Sequence, residues 1–151
     1  MRHVLPAFLA FAAFTSPAQA EPNLENGFDG ALRGCEEWLL NPASWVDGPE
    51  PFIETVGLGN QMGLVERVEE VNLPPKQMRR GMHYWRINST PTAGYVLVVS
   101  DQVPMCHITG GGGTDLQPSV QSVLSSPTFN ERWEKLKTSS KADMTTTTFR
   151  N

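Results

Sequence analysis

The sequence predicts a single α+β domain built on a central antiparallel sheet of three to five strands. Three β-rich segments follow one another closely between residues 83 and 109, and short links make consecutive strands antiparallel neighbours. Apolar residues recur at three- and four-residue intervals before this region and again after it, which is typical of amphipathic helices. We therefore expect an N-terminal helix and two C-terminal helices to cover one face of the sheet.

The chain starts with the three parts of a cleavable export signal, residues 1–20. A basic Arg2 precedes the apolar run Val4–Phe14, whose 11 residues are too few to span a bilayer. The segment ends in Ala18-Gln19-Ala20, small residues at alternate positions that suit signal peptidase. The pattern predicts a mature domain of residues 21–151, periplasmic or secreted, with no membrane insertion after cleavage.

The charge of the mature part argues against nucleic acid as a partner. Residues 21–151 carry eleven basic and sixteen acidic side chains, a net charge of −5, and contain no basic cluster. Residues 21–75 have a net charge of −9 and residues 76–151 a net charge of +4. Either two complementary halves pack together in one domain, or a dipolar surface orients a partner.

The two cysteines, Cys35 and Cys106, predict one disulfide between the first helix and the third strand. Closing a loop of roughly 70 residues stabilises the fold by about 4 kcal/mol in the chain-entropy description, as an upper figure. The alternatives are two buried thiols, or a reactive Cys106 beside His107. Adjacent residues on a strand point to opposite faces, so these two side chains would not meet as nucleophile and base.

The first half of the domain is predicted to contain two helices and one strand. The first helix runs from Leu24 to Leu40, and its three glycines weaken it but also mark close packing. A Pro- and Gly-rich loop around Trp45 follows, and then a short helix from Glu50 to Leu58. Apolar residues among charges favour a strand over Leu64–Val71. The acidic pair Glu36-Glu37 on the first helix is expected to be solvated.

The clearest β region comprises strands at His83–Asn88, Gly94–Ser100 and Met105–Thr109. The second strand is β-branched and apolar on both faces, so it is expected to be central. Trp85 alternates with Tyr84 across the first of these strands. The turn between the second and third strands begins at Asp101.

The C-terminal part is predicted to be mainly helical. Thr114 is expected to cap a helix that Pro127 interrupts, and Phe129–Leu136 is expected to form a second helical piece with Trp133 in the core. The Thr- and Ser-rich tail, residues 137–151, is either frayed or adds an edge strand through Thr145–Phe149.

The glycine run Gly110, Gly111, Gly112 and Gly113, followed by Thr114, is the first candidate site. Strand, glycine run and helix start follow one another in the order of phosphate-binding loops. The run lacks the lysine of a nucleotide site, so we predict a strand-to-helix connection in which at least one glycine has positive φ. A small-anion site at the helix N-terminus is the alternative.

The remaining candidates are Trp45 and His107. Trp45 lies in its loop either packed inward as a lid or exposed for binding. His107 could act only with Asp101 and the glycine loop, because no hydrolase elbow, no metal-ligand spacing and no paired carboxylates of a glycosidase occur. No cofactor or metal is expected.

Two classes of function follow from these observations. The first is a non-catalytic exported module that binds a protein or a small ligand in the cell envelope. The second is an enzyme of unrecognised type that uses His107, Asp101 and the Gly110–Gly113 loop. Convergence of those three parts in one cleft would favour the enzyme, and their dispersal would favour the binding module.

Overall fold

The computed structural model describes residues 19–142 and 144–151 and confirms the α+β class. The predicted export signal lies almost wholly outside these residues. The helices are α1 (Pro22–Leu40), α2 (Pro49–Val56), α3 (Gln117–Leu124) and α4 (Pro127–Arg132). The strands are β1 (Met62–Val65), β2 (Met82–Asn88), β3 (Ala93–Ser100), β4 (Cys106–Gly112), β5 (Glu134–Lys141) and β6 (Met144–Arg150). None of the described helices is both long enough and apolar enough to cross a membrane.

The main sheet has the strand order β1-β2-β3-β4, and each neighbouring pair is antiparallel. The register places Trp85 opposite Leu97 and Ile87 opposite Tyr95, and all four side chains are at most 3% exposed. They share the face that packs against α1. β3 lies between two strands and is buried along nearly its whole length, as its apolar composition predicts.

Helix α1 packs closely on its surroundings because three of its inward positions are glycines, of which Gly30 faces Leu58. A Cβ at Gly27 would lie 1.9 Å from Ser89 Oγ, and one at Gly34 would lie 2.8 Å from Leu97 Cδ2. The expected close packing of these glycines is therefore confirmed. Glu21 caps the start of the helix, since its carboxylate accepts hydrogen bonds from the backbone N–H groups of Asn23 and Leu24.

The disulfide between Cys35 and Cys106 is present, with the two Cα atoms 5.5 Å apart. It links α1 to β4, as predicted. Because oxidising compartments are where such bonds persist, the bridge is compatible with an extracytoplasmic location. Helix α3 also packs against α1, and Ser119 Oγ accepts from Glu21 N at 2.9 Å.

The strand predicted over Leu64–Val71 is too long. β1 instead covers Met62–Val65, and its pairing with β2 stops at Val65–Tyr84 although β2 continues to Met82. The following segment instead forms short 3₁₀ turns at Glu70–Asn72 and Lys76–Met78.

The Gly110–Gly113 run is not a strand-to-helix loop. Gly110, Gly111 and Gly112 extend β4, because they pair with Tyr95, Gly94 and Ala93 of the adjacent strand β3. Gly112 has φ +130°, which confirms the predicted positive φ. Thr114 is not a helix cap, because α3 begins at Gln117, where Asp115 Oδ1 accepts from the backbone N–H at 3.0 Å.

The C-terminal prediction is also corrected. Pro127 begins α4 rather than interrupting a helix, and Ser126 Oγ accepts from Phe129 N at 3.2 Å as its cap. Helix α4 ends at Arg132, so residues up to Leu136 are not helical and Leu136 is exposed. The tail adds no strand to the main sheet, because β5 and β6 pair only with each other.

Candidate functional site

The candidate site begins with a histidine–aspartate pair at one end of the main sheet. His83 lies near the start of β2 and Asp101 directly follows β3, so the antiparallel register brings them together. His83 Nε2 lies 3.0 Å from Asp101 Oδ2, and each side chain is about one third exposed. Gly81 makes room for this pair, since a Cβ there would lie 1.9 Å from Asp101 Oδ1.

Two tryptophans stack beside this pair. Trp38, in the last turn of α1, is 4% exposed, and its Nε1 donates to Ser100 O at 2.8 Å. Trp45 closes the 3₁₀ turn Pro42–Trp45 and stacks on it, with ring centroids 4.3 Å apart and planes 3° from parallel. The His83 ring lies 5.2 Å from Trp38 and 5.5 Å from Trp45. We call Trp38, Trp45, His83 and Asp101 the aromatic cluster.

The turn that carries Trp45 is bordered by exposed apolar side chains. Leu40 is 71% exposed just before the turn, and Val46 is 69% exposed just after it. Among the described residues, the buried Trp45 Nε1 and Ser44 Oγ have no hydrogen-bond partner. The surface on both sides of the turn is therefore apolar, while these two polar atoms lie beneath it.

The aromatic cluster contains the pair His83–Asp101, and the hydroxyl group nearest to it, that of Ser100, makes structural hydrogen bonds. Ser100 Oγ donates to Arg80 O and accepts from the backbone N–H groups of Gln102 and Val103. It therefore closes the turn after β3 and is not available to attack a substrate with His83 as base.

The structure joins Trp45 and Asp101 through His83, a residue that the sequence analysis did not single out. It does not bring His107 or the glycine run to the same place. His107 pairs with Val98 and faces the side of the sheet opposite α1. Gly111 pairs with Gly94, six residues along β3 from Ser100, a distance of roughly 20 Å at strand rise. The three parts of the expected enzyme site are thus dispersed.

His107 is a half-buried histidine under the loop that follows β1. Thr109, on the same face two residues later, donates through Oγ1 to Asn72 Oδ1 at 2.9 Å. Burial lowers the pKa of His107, and the nearby positive charge of Arg79 lowers this pKa further. His107 Nε2 has no partner among the described residues. The environment favours a neutral, structural imidazole.

One glycine of the run, Gly111, lines an open depression at the turn between β2 and β3. This depression has a volume of about 390 Å³ and is formed by Asn88, residues 90–94 and Gly111. Its walls are backbone and small polar groups, unlike the mainly apolar lining of ligand pockets. Since α3 begins four residues after Gly113, the run and Thr114 do not form an anion site at a helix N-terminus.

A second cavity, of about 50 Å³, lies between α1 and α4, and Glu36 lines it. The sequence analysis did not predict a structural role for this residue. The Glu36 side chain is only 12% exposed. It accepts from Arg132 Nη2 and from Trp133 Nε1, the latter at 3.1 Å. The expectation that Glu36 is solvated was therefore wrong. Glu36 is four residues after Leu32 and three before Leu39, so helical spacing places it along the apolar stripe.

The described residues contain no group of three or more His, Cys, Asp or Glu side chains placed to hold a metal ion. Protein-family models, curated proteins and solved structures give no match to this chain.

Proposed function

We propose that the protein is a non-catalytic binding module of the cell envelope, periplasmic or secreted, that contacts a protein partner through the surface around Trp45. One observation carries this proposal. Trp45 is held against Trp38, while Leu40 and Val46 on either side of its turn remain more than two thirds exposed. Trp45 itself is half-buried, and tryptophan is enriched among the residues that contribute most to the binding energy of protein interfaces.

The compartment is supported by two independent features. Residues 1–20 have the charge, length and terminal small residues of an export signal. The Cys35–Cys106 bridge is compatible with an oxidising location. An exported module meets its partner in the envelope or outside the cell, and this limits where a partner is to be sought.

A protein partner is favoured over a small ligand by the shape of the surface. Pockets for small molecules are usually concave, mainly apolar and about 300–1,000 Å³ in volume. The cavity between α1 and α4 is about 50 Å³, and the larger depression at the β2–β3 turn has polar walls. The apolar side chains beside Trp45 instead form an open surface.

The charge around Trp45 indicates the chemistry of the partner. Glu37, Asp47 and Glu50 lie within eight residues of Trp45 in the chain, and no basic residue lies between Arg33 and Arg67. A basic rim around an apolar centre on the partner would complement this surface and would speed association at low salt.

The alternative, an enzyme using His107, Asp101 and the glycine run, loses its main argument because these residues are dispersed. The His83–Asp101 pair is the remaining acid–base feature, and Ser100 beside it is engaged in the turn. We therefore retain the binding module as the function that the geometry supports best.

Affinity capture from the envelope fraction of the native host tests this proposal. The double variant Leu40→Glu/Val46→Asp should lose a partner that the unchanged protein captures, while Val71→Asp should retain it. Val71 is a matched control because it is 56% exposed outside the proposed surface. Near-ultraviolet circular dichroism checks that each variant is folded. Retention of every captured protein by the double variant would contradict the proposal.

A further inference from the structure

The C-terminal hairpin is a separate two-stranded sheet with an unpaired strand at each side. β5 and β6 pair with each other and with no other described strand, and all eight residues of β5 are exposed. The hairpin contacts the body through Phe149, whose ring packs edge-on against Phe129 at 4.9 Å. A two-stranded hairpin alone is marginally stable in water.

The two edges of this hairpin differ in chemistry. β5 carries Lys135, Lys137 and Lys141, and charged side chains, lysine above all, prevent another strand from adding to an edge. β6 has no charge from Met144 to Phe149 and contains four consecutive threonines, which favour strand structure. From Met144 to Phe149, β6 therefore has no charged side chain that would prevent strand addition.

We propose that β6 pairs in antiparallel fashion with β6 of a second copy of this chain. The two hairpins then form a four-stranded sheet around a two-fold axis. In the fully paired register, Thr147 lies opposite Thr147 of the other copy, and Met144 lies opposite Arg150. Alternate residues of each edge strand present N–H and C=O groups that this pairing satisfies.

The chemistry of β6 fits a second copy because the strand complements itself. Hydroxyl pairs already cross the hairpin, with Thr138 Oγ1 3.3 Å from Thr147 Oγ1 and Ser140 Oγ 3.2 Å from Thr145 Oγ1. The new pairing repeats this cross-strand chemistry. In the symmetric register Arg150 faces Met144 of the other copy, and it is already paired with Glu134 in its own hairpin. No two like charges therefore lie opposite each other.

The acidic body of another copy is the competing partner for the hairpin. Residues 134–151 have a net charge of +2, whereas residues 21–133 have a net charge of −7. That contact would use the lysines of β5, however, and would leave the uncharged edge of β6 unpaired. The edge chemistry therefore favours pairing between two β6 strands.

Sedimentation velocity of the full chain over a range of concentrations tests the proposal. One added strand pair buries less than the ~1,200 Å² of a stable interface, so we expect monomers at about 1 µM and dimers at about 1 mM. Thr147→Lys should abolish the dimer, because it places like charges directly opposite each other across the two-fold axis. Ser139→Lys on β5 is the control and should leave dimerisation unchanged.

A mixture of Thr147→Lys and Thr147→Glu chains gives the sharpest outcome. Each variant alone should be monomeric, and the mixture should form a heterodimer because opposite charges then face each other. Far-ultraviolet circular dichroism shows whether each variant keeps the fold. The proposal is overturned by monomers at every concentration, or by a dimer that Thr147→Lys leaves intact and Ser139→Lys disrupts.

Discussion

Trp45 stacks on Trp38 with the two indole planes 3° from parallel, and this contact fixes an irregular loop on the end of α1. Trp38 is in turn anchored to the sheet, because its Nε1 donates to Ser100 O. The loop surface is therefore positioned by the core itself. Such pre-organisation reduces the entropy lost when a partner binds.

Gly112→Ala should destabilise the fold, whereas Gly111→Ala should not. Gly112 has φ +130°, and an added Cβ would lie 2.1 Å from Thr92 O. The expected loss in the free energy of unfolding is about 1 kcal/mol or more. At Gly111 an added Cβ meets nothing within 4 Å. Urea unfolding of both variants measures this difference, and equal midpoints would refute it.

Gly27→Ala should destabilise the fold by about 1–3 kcal/mol, because the added methyl group overpacks the contact between α1 and Ser89. The Cβ would lie 2.9 Å from Ser89 Cβ and closer still to its hydroxyl. Asn26→Ala, at an exposed position of the same helix, is the control for helix propensity. The second change Ser89→Gly should restore part of the loss, and no recovery in the double variant would count against this packing.

The sequence predicted those helices and strands whose position depends on the residues within the segment itself. Helix α1, with its apolar stripe around Trp38, and the β-branched strand β3 were predicted to within two residues at each end. The extent of β1, by contrast, depends on which of its residues pair with β2, and residues 110–112 become strand only because β3 pairs with them. Pairing partners far away in the chain are not visible in a local pattern.

Dependence on residues that are distant in the sequence also explains which parts of the site were predicted and which were missed. Trp45 was predicted as a candidate, because a large aromatic residue in a Pro- and Gly-rich loop is unusual in itself. His83 was missed, since its contact with Asp101 follows from the register of β2 and β3. Glu36 was missed because its partners, Arg132 and Trp133, are about a hundred residues later in the chain.

Replacing His107 should change how stability depends on pH. Its pKa is lowered in the folded state, so the unfolded chain, with a pKa near 6.5, takes up the proton first as the pH falls. The unfolded state then binds more protons, and stability falls from pH 6.5 down to the folded-state pKa. Above pH 6.5 this group contributes no slope. His107→Gln should flatten this acid limb in urea unfolding between pH 4 and 8, and an unchanged slope would contradict the assignment.

Glu36→Ala should loosen the junction between α1 and the start of β5. The variant removes the acceptor for both Arg132 and Trp133, and a hydrogen bond to a charged group contributes about 2 kcal/mol. Glu36→Gln should be milder, because its amide oxygen still accepts from Trp133. The exposed Glu54→Gln is the control. Thermal unfolding should give the order Glu36→Ala, Glu36→Gln, Glu54→Gln from least to most stable, and equal melting temperatures would disprove the role.

The most direct test of the binding surface is photo-cross-linking in the native envelope from a reactive residue at position 46. The account predicts a covalent adduct of defined mass from position 46 that is absent when the same residue is placed at position 71. The adduct should also disappear when Leu40→Glu is added and the protein is still folded. Equal adducts from both positions, or no adduct from position 46 in the intact envelope, would contradict the proposal that the Trp45 surface binds a protein partner.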